Sequence, residues 1–555
     1  MPRKFLIVTE KHAPSLDQRD GGAMLVETLK AGLGPAADII QFELGDSPRA
    51  PWRFTYPDQN PNRFARRLNN AQWVADTIAN LAGDYTDIVF VHISMLFATQ
   101  PKRLQGTRIW LFPMFMGASY EESGETIPSA YFQAEYEALL TADRILTPSH
   151  FERSQLRTRY AVPDAKIKVV PRGVRKFADL SPLCTKPLPL NLCSIGSIKP
   201  QKNTVGVVEL FASLKKRFPE ARLTLIGPVQ STRYWEEVLG AIHSHGLAAS
   251  VNWTGHIAPE MLPGMLGSMH VHVSASRCET FGRTIFETLR LGLPNLIPQA
   301  PSPALEFLEG TQALTTYTDA EDFVNSAARI MSAHKSYAQL AQEAGALFDE
   351  RILGRLLCAE LLAKPSLLVS DFDGTIFHKS DPGLTRQSVE RFNQQRPSII
   401  CSARSLSDLR EQVARLGLTP DWLIGLSGGE LERFDQTLEI THPLTEPELA
   451  DLRQAHPDGH TIGRPGVPLQ WVAATPYAPI GYRVETYSGK HYLSKNRTRK
   501  LTAILRIIQE MDWDGNVQAF GDGQYDYEFL AYFDGKLLGR NTAHPFLRAG
   551  TEHLS

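Results

Sequence analysis

The sequence predicts an α/β protein built from doubly wound units, and two observations lead to this prediction. Apolar runs of four to six residues, such as Phe5–Val8, Leu223–Ile226 and Val517–Phe520, alternate with amphipathic helical segments. Short apolar runs between helices are typical of strands buried on both faces of a parallel sheet. The chain has 555 residues, which at about 150 residues per domain corresponds to three or four domains.

The composition excludes several classes of protein. Apolar residues make up 43% of the chain and charged residues 21%, which excludes a mainly disordered protein. With 58 Lys and Arg against 60 Asp and Glu, the chain lacks the positive surplus of a general nucleic-acid binder. No apolar stretch reaches the roughly 18 residues of a membrane span, and the apolar run near the start is too short for a signal peptide. We therefore expect a cytoplasmic protein without an integral membrane segment.

The five cysteines are odd in number and form no C-x-x-C pair, which predicts reduced thiols rather than disulfides or a zinc site. These cysteines are Cys184, Cys193, Cys278, Cys358 and Cys401.

Two proline-rich stretches indicate domain boundaries, because proline cannot continue a helix or a sheet. One follows a short strand at Val169–Val174 and includes residues 185–189, and the other lies at Ala363–Pro365. The predicted domains are residues 1–172, 173–362 and 363–555, with an insertion into the third domain at about 436–486.

The third domain begins with a strand, Leu367–Ser370, that leads into Asp371-Phe-Asp373-Gly-Thr375. In an extended segment the two carboxylates share a face, and the carboxyl ends of strands are where doubly wound sheets hold ligands. One carboxylate can attack phosphorus while the other protonates the leaving alcohol, and a cation must neutralise the crowded charge.

Three further elements follow in order along the chain. Ser402 ends the strand that begins at Ile399, and Lys500 opens a helical segment. A third strand ends in Asp522 and Asp526, hard oxygen ligands that suit Mg²⁺.

With these four motifs in order, residues 364–555 resemble the haloacid-dehalogenase (HAD) phosphatase superfamily. The resemblance implies that Asp371 is the nucleophile that forms an aspartyl-phosphate and that Asp373 is the general acid and base. Ser402 and Lys500 would hold the transferring phosphoryl group, and Lys495 is the alternative to Lys500.

The same resemblance implies a Mg²⁺ site and a cap. The implied metal ligands are Asp371, Asp373, Asp522 and Asp526. Arg404 and Lys495 are further substrate-binding candidates, and the insertion would be the cap of sugar-phosphate phosphatases such as those acting on sucrose phosphate and trehalose phosphate.

In the second domain, Glu279 precedes a Phe-Gly282 turn, and Glu287 follows about two turns inside the predicted helix. Backbone N–H groups at such a helix start can meet a diphosphate. This segment resembles the E-x7-E signature of retaining glycosyltransferases of family 4, which have the GT-B fold of two Rossmann-like domains. The resemblance implies that Glu279 contacts the donor sugar, Glu287 the nucleoside ribose, and that transfer needs no metal.

Other segments of the first 362 residues resemble the same family. Gly21 and Gly22 open a helix after the first strand, and Lys202 is the implied cation on the donor diphosphate. His92, at a strand end, is a further candidate for contact with the donor sugar. The family often has Arg where this chain has Ser197, and Lys199 or Arg283 could replace that charge.

Together the two resemblances imply a bifunctional enzyme. It would transfer sugar from a nucleoside-diphosphate sugar, with UDP-glucose favoured and GDP-mannose the alternative, to a phosphorylated small-molecule acceptor, and then remove the phosphate with Mg²⁺. Two other interpretations stay open: a glycosyltransferase whose HAD-like domain is a non-catalytic binding or regulatory module, and two activities on unrelated substrates.

Overall fold

Four β-sheets organise the chain in a computed structural model. The structure describes residues 2–10, 21–43, 53–114, 116–122, 124–175, 189–308, 310–433, 438–538, 544 and 547–549. Cys184 lies outside these residues, and the four described cysteines are buried free thiols. Among the described residues, no helix combines the length and the apolar character that crossing a membrane requires.

The first domain is a parallel sheet with strand order β3-β2-β1-β4-β5-β6-β7. Its central strands β1 and β4 are buried at every residue, as a sheet covered by helices on both faces requires. The strands are β1 Phe5–Thr9, β2 Ala37–Glu43, β3 Arg53–Thr55, β4 Asp87–Val91, β5 Arg108–Phe112, β6 Arg144–Thr147 and β7 Ile167–Val169. The helices are α1 Gly21–Leu33, α2 Arg63–Asn69, α3 Ala71–Leu81, α4 Gly117–Glu122, α5 Ser129–Thr141 and α6 His150–Tyr160.

The second domain repeats this architecture with strand order β10-β9-β8-β11-β12-β13. Its strands are β8 Asn191–Ile195, β9 Arg222–Ile226, β10 Val251–Trp253, β11 Val271–Val273, β12 Asn295–Pro298 and β13 Leu314–Tyr317. Its helices are α7 Thr204–Arg217, α8 Thr232–Ser244, α9 Leu262–Leu266, α10 Arg283–Arg290, α11 Pro303–Leu308, α12 Ala320–Ser332, α13 His334–Ala346 and α14 Glu350–Leu362.

Helix α14 crosses back to the first domain. Leu357, Cys358 and Leu361 belong to the same apolar cluster as Phe5 and Leu25 of the first domain. The sequence-based boundary at residue 362 therefore assigns this helix by its position in the chain, whereas its packing joins it to the first domain.

The third domain has a sheet of order β18-β17-β16-β15-β14-β23-β24-β25, parallel from β16 to β25 and antiparallel at β17 and β18. Its strands are β14 Ser366–Asp371, β15 Ser398–Cys401, β16 Trp422–Gly425, β17 Glu430–Arg433, β18 Leu438–Ile440, β23 Asn516–Gly521, β24 Lys536–Leu537 and β25 Arg548–Ala549. Its helices are α15 Pro382–Asn393, α16 Leu406–Leu416, α18 Lys500–Glu510 and α19 Tyr527–Phe533.

A separate antiparallel sheet of order β19-β20-β22-β21 is inserted between β18 and α18. Its elements are α17 Glu446–Ala455, β19 His460–Arg464, β20 Val467–Ala473, β21 Tyr482–Tyr487 and β22 Lys490–Lys495. The insertion therefore extends nine residues beyond the end at 486 expected from the sequence. The β21–β22 hairpin turns at Ser488 and Gly489, both at positive φ. Strand β22 pairs with β21 on one side and with β20 on the other.

The third domain packs on both preceding domains. Tyr532 of α19 donates a hydrogen bond of 2.6 Å to the carbonyl of Leu347 in the second domain, and its ring lies 5.6 Å from that of Phe348. Asp534, whose side chain is 1% exposed, accepts a 2.9 Å ion-pair hydrogen bond from Arg153 of the first domain. The three domains thus share buried contacts.

Candidate active sites

The first candidate site lies where β14, β15 and β23 end side by side. In the parallel register Asp371 is opposite Cys401, one residue before Ser402, and β23 leads into Asp522. Carboxyl ends of adjacent parallel strands meet at one edge of the sheet, so three motifs distant in sequence converge there.

Lys500, the first residue of α18, carries the positive charge of this site. Its Nζ lies 2.6 Å from Oδ1 of Asp371 and 2.7 Å from Oδ1 of Asp526, and all three side chains are buried. The alternative, Lys495, ends β22 of the inserted sheet and pairs with Glu448 of α17 at 2.8 Å. Of the two lysines, Lys500 is the one that meets the Asp371 carboxylate.

The carboxylates of the site repel one another in a buried setting. Burial and the charge of Asp526 raise the pKa of Asp371 well above its usual range. Burial and Asp526 likewise raise the pKa of Asp522 to about 6. Burial alone would lower the pKa of Lys500, but the charges of Asp371 and Asp526 outweigh it and raise that pKa.

Asp371, Asp522 and Asp526 each bring a carboxylate oxygen within 4.8 Å of the others, which fits one hard divalent cation such as Mg²⁺. Lys500 alone does not balance three carboxylates, so the donor set and its charge both suit such an ion. Asp373, which we expected among the ligands, lies outside this group of oxygens: its side chain is turned toward Arg404.

Arg404 holds both oxygens of Asp373, through Nε at 2.7 Å and Nη2 at 2.8 Å. The same guanidinium reaches Asp408 at 2.7 Å, and the backbone N–H of Arg404 donates to Oγ of Ser402 at 3.2 Å. A bidentate pair fixes the orientation of the carboxylate as well as its charge. Arg404 therefore links the Asp373 side chain to the Ser402 hydroxyl at the mouth of the site.

The position of Gly374, directly after the two aspartates, requires a glycine for two reasons. Its φ is +79°, and a Cβ at this position would lie 1.8 Å from Oδ2 of Asp522. Both the backbone conformation and the room for the Asp522 carboxylate thus require glycine.

The inserted sheet supplies side chains that sequence reasoning did not find. Glu485 of β21 is 2% exposed, accepts a 2.5 Å hydrogen bond from the Ser427 hydroxyl and pairs with Arg483 at 2.6 Å. The Tyr487 hydroxyl donates to Glu485 at 3.1 Å. Burial and Glu485 raise the pKa of Tyr487, and this tyrosine is near enough to Asp371 and Lys500 for their charges to act on it. No local motif marks these residues, because β21 places them over the site only after the sheet has formed.

The second candidate site lies between the first two domains, at the start of α10. Gly282 caps this helix with φ +77°, and Glu279, just before it, accepts a hydrogen bond from Nζ of Lys202. Burial alone would raise the pKa of Glu279, but the charge of Lys202 and this hydrogen bond hold it below its usual range. The segment that carries Lys202 is separated from Glu279 by 77 residues, so the fold creates the pair.

Glu279 and Lys202 line a cavity of about 260 Å³. Gly21, at the start of α1, and Gly282 line the same cavity, as does Arg283. Helix starts from both domains therefore line the cavity.

Arg172 also lines this cavity and was missed by the sequence analysis. One of its terminal nitrogens is buried without a hydrogen-bond partner among the described residues, and burial lowers its pKa to about 10. Of the two proposed substitutes for the charge missing at Ser197, Arg283 lines the cavity, whereas Lys199 is not among its lining residues.

Three expected residues are not among those that line this cavity. Glu287 is just over one turn inside α10, rather than two, because the helix begins at Arg283, and it pairs with that residue at 3.1 Å. Gly22 follows Gly21 in α1, outside the lining residues. His92 directly follows β4, has φ +92° and accepts a hydrogen bond from the Ser94 backbone N–H; it is also outside the lining residues.

Both N-terminal domains match known sequence families. Residues 25–176 match the model of Glycosyltransferase Family 4, and residues 188–346 match that of Glycosyl transferases group 1. Mannosylfructose-phosphate synthase of Agrobacterium fabrum is 30% identical over 109 residues, which are 19% of this chain and 24% of that protein. The chain thus matches about a quarter of the length of that relative.

Solved structures are similar over the same part of the chain. Sucrose-phosphate synthase from Thermosynechococcus elongatus has a TM-score of 0.54 at 19% identity, covering 65% of this chain and 98% of that one. Anabaena HepE in complex with UDP and glucose has a TM-score of 0.51 at 16% identity, covering 65% and 100%. Likenesses at these identities establish the fold alone. The first two domains of this chain therefore match glycosyltransferase families in sequence and have the GT-B fold.

Proposed function

We propose that the chain is a bifunctional enzyme that transfers a sugar from a nucleoside-diphosphate sugar to a phosphorylated acceptor and then hydrolyses the phosphate of the product. The family matches of residues 25–176 and 188–346 support the transfer. The observation that carries the second activity is the contact of Lys500 with Asp371 and Asp526 at the end of β14.

In the transfer step, the leaving group is a nucleoside diphosphate, so catalysis rests on positioning and on neutralising the departing charge. Lys202, Arg283 and Arg172 line one cavity, together with the N-terminal end of α10. We assign the diphosphate to these cations, with Arg283 and Arg172 in place of the charge missing at Ser197. Glu279 would contact the donor sugar.

UDP-glucose is the donor we favour, and GDP-mannose is the alternative. Two proteins similar in fold support this choice: HepE holds UDP and glucose, and an E. coli protein described as trehalose-6-phosphate was solved with UDP-2-fluoro glucose. The latter has a TM-score of 0.51 at 13% identity, covering 65% of this chain and 99% of that one.

In the hydrolytic step, an Asp371 oxygen would attack phosphorus, and the bond between phosphorus and the sugar oxygen would break. Asp373 would give a proton to that oxygen, then take one from the water that attacks the aspartyl-phosphate and releases inorganic phosphate. Before it can donate, Asp373 must leave the bidentate contact with Arg404 and take up a proton. Ser402 and Lys500 would hold the phosphoryl oxygens.

A bound Mg²⁺ would supply positive charge beside the transferring phosphoryl group. Asp371, Asp522 and Asp526 would hold it, as their mutual distances allow.

The two steps form one sequence if the first product carries the phosphate that the second removes. Sucrose-phosphate synthase and mannosylfructose-phosphate synthase, by their names, make phosphorylated glycosides. A phosphatase on the same chain would make such a reversible transfer irreversible. Incubation with donor, acceptor phosphate and Mg²⁺ should therefore release inorganic phosphate only when both substrates are present.

The Asp371→Asn variant should accumulate the phosphorylated glycoside, measured by mass spectrometry. Asp381→Asn is the matched control, because Asp381 caps α15 in the same domain and asparagine is an equally good cap. Phosphate release by Asp371→Asn at the wild-type rate would refute the phosphatase assignment. A non-catalytic third domain would release no phosphate in either protein while transfer continues.

A further inference from the structure

A second, larger cavity lies between the second domain and the third. Its volume is about 530 Å³, within the range of small-molecule sites. Arg290 and Arg351 line it from the transferase side, and Arg497, Arg499 and Arg506 from the other. It is distinct from both candidate active sites.

Arginines outnumber acidic residues in the lining of this cavity. The acidic lining residues are Glu343 and Asp349, against five arginines, of which Arg499 and Arg506 pair with Glu528 and Glu439 beyond the lining. Asp349 is shared by Arg290 at 3.2 Å and Arg351 at 3.4 Å. The two arginines on the transferase side therefore form ion pairs with the same carboxylate.

On the other side of the cavity, two groups lack a partner among the described residues. The half-buried Arg497 makes no ion pair there, whereas Arg499 pairs with Glu528 at 3.1 Å. Nδ1 of His442 is shielded from solvent and has no hydrogen-bond partner. Burial, and after it the charges of Arg497, Lys495 and Arg506, lower the pKa of His442 to about 4.

The cavity also lies at the base of the inserted sheet. His442 belongs to the segment that leads from β18 into the insertion, and residues 496–499 form the segment that leads back into α18. Helix α18 begins with Lys500, and α10, which ends at Arg290, begins at the cavity lined by Lys202 and Glu279. A ligand here would contact both connections of the insertion and one helix from each candidate site.

We propose that this cavity binds a phosphorylated small molecule, with its phosphate held by Arg497 on one side and Arg351 on the other. Guanidinium groups match the oxygens of a phosphate with paired hydrogen bonds. Because both connections of the insertion line the cavity, occupancy would restrain the movement of the cap.

The test is isothermal titration calorimetry of the full chain in EDTA with inorganic phosphate, glucose 6-phosphate and, as a control without phosphate, glucose. Without a divalent cation, the carboxylates near Asp371 disfavour phosphate at the phosphatase site. Wild type should bind both phosphates and not glucose. Tighter binding of glucose 6-phosphate would identify an ester as the ligand, and equal binding would identify free phosphate.

The variant Arg497→Gln with Arg351→Gln should weaken phosphate binding by about tenfold or more. Arg386→Gln, an exposed arginine on α15, is the matched control and should bind as wild type does. Unchanged binding by the double variant, or no binding by wild type, would overturn the proposal.

Hydrogen exchange gives a second readout. Phosphate should slow amide exchange in residues 441–445 of wild type and of Arg386→Gln, but not of the single variant Arg497→Gln, whose folding can be checked by its melting temperature. Slowing of equal size in Arg497→Gln would contradict the proposed site.

Discussion

Replacing Lys500 by methionine removes the charge that joins two buried carboxylates. The Lys500 side chain is 6% exposed, and those of Asp371 and Asp526 are 8% and 3% exposed. Methionine keeps the length and the apolar stem, so the main change is the lost ammonium group. We expect both the stability of the third domain and the proposed phosphatase activity to fall.

The expected losses of stability and of activity follow from the burial of Lys500 and its two partners. Removing one partner of a buried ion pair costs about 3 to 5 kcal/mol, because the remaining charge is left without compensation. Loss of a preorganised charge that stabilises the transferring group costs about 100- to 1000-fold in kcat. Lys495→Met is the matched control: Lys495 pairs with Glu448, which is 30% exposed, and loss of such a pair costs about 1 kcal/mol or less.

The destabilisation should depend on pH with a definite sign. Burial and Asp526 already raise the pKa of Asp371, and loss of Lys500 raises it further. A carboxyl whose folded pKa exceeds its unfolded value favours folding at low pH and loses that contribution as pH rises through the folded pKa. The stability difference between Lys500→Met and wild type should therefore be smaller near pH 5 than near pH 8.

Calorimetric melting of full-length proteins at both pH values and phosphatase assays with a generic phosphomonoester and Mg²⁺ measure these effects. The reasoning fails if Lys495→Met loses as much stability and phosphatase activity as Lys500→Met. It also fails if the deficit of Lys500→Met grows as the pH is lowered.

Three further predictions concern other buried groups. Lys202→Met should reduce sugar transfer by about 100-fold, with a steeper loss at low pH, because Glu279 loses the charge that keeps its pKa low; transfer assays across pH measure this. Gly374→Ala should abolish phosphatase activity and leave transfer intact, since its Cβ would displace the Asp522 carboxylate. Glu135→Gln should match wild type in thermal stability near pH 5 and exceed it above pH 8, because burial raises the pKa of Glu135 to about 7 and its ionisation then opposes folding.

Each of these three predictions has an outcome that would contradict it. Wild-type transfer in Lys202→Met would exclude this lysine from the donor site, and an active Gly374→Ala phosphatase would show that the loop tolerates a side chain. A Glu135→Gln protein that is less stable than wild type at high pH would mean that the ionised carboxylate favours folding.

The sequence was sufficient to predict the α/β class and the glycosyltransferase fold, and both predictions are confirmed by the family matches and the similar structures. The reason is physical: runs such as Phe5–Val8 are apolar at every position because helices cover both faces of the strand. Residues fixed by local turn chemistry, such as Gly282 before α10, were also readable from the sequence.

Features that depend on distant pairing were not readable. The predicted insertion ended at residue 486 and so omitted β22, because this strand joins the sheet only by pairing with β20 and β21. Arg172 was overlooked because it follows a strand in a linker and reaches the cavity beside Glu279 only when two domains face each other. Asp373 was assigned to the metal through the resemblance to the HAD superfamily, whereas the nearby guanidinium of Arg404 determines where its carboxylate lies.

The shared contacts of Tyr532 and Asp534 have a consequence for dividing this chain. A fragment that ends near residue 362 would expose Phe348 and leave Arg153 without the buried carboxylate of Asp534. The excised third domain would in turn expose Tyr532 and leave Asp534 without Arg153. Gene fission into two independent proteins would therefore require new surface residues on both halves. The three domains are inherited and expressed as one chain.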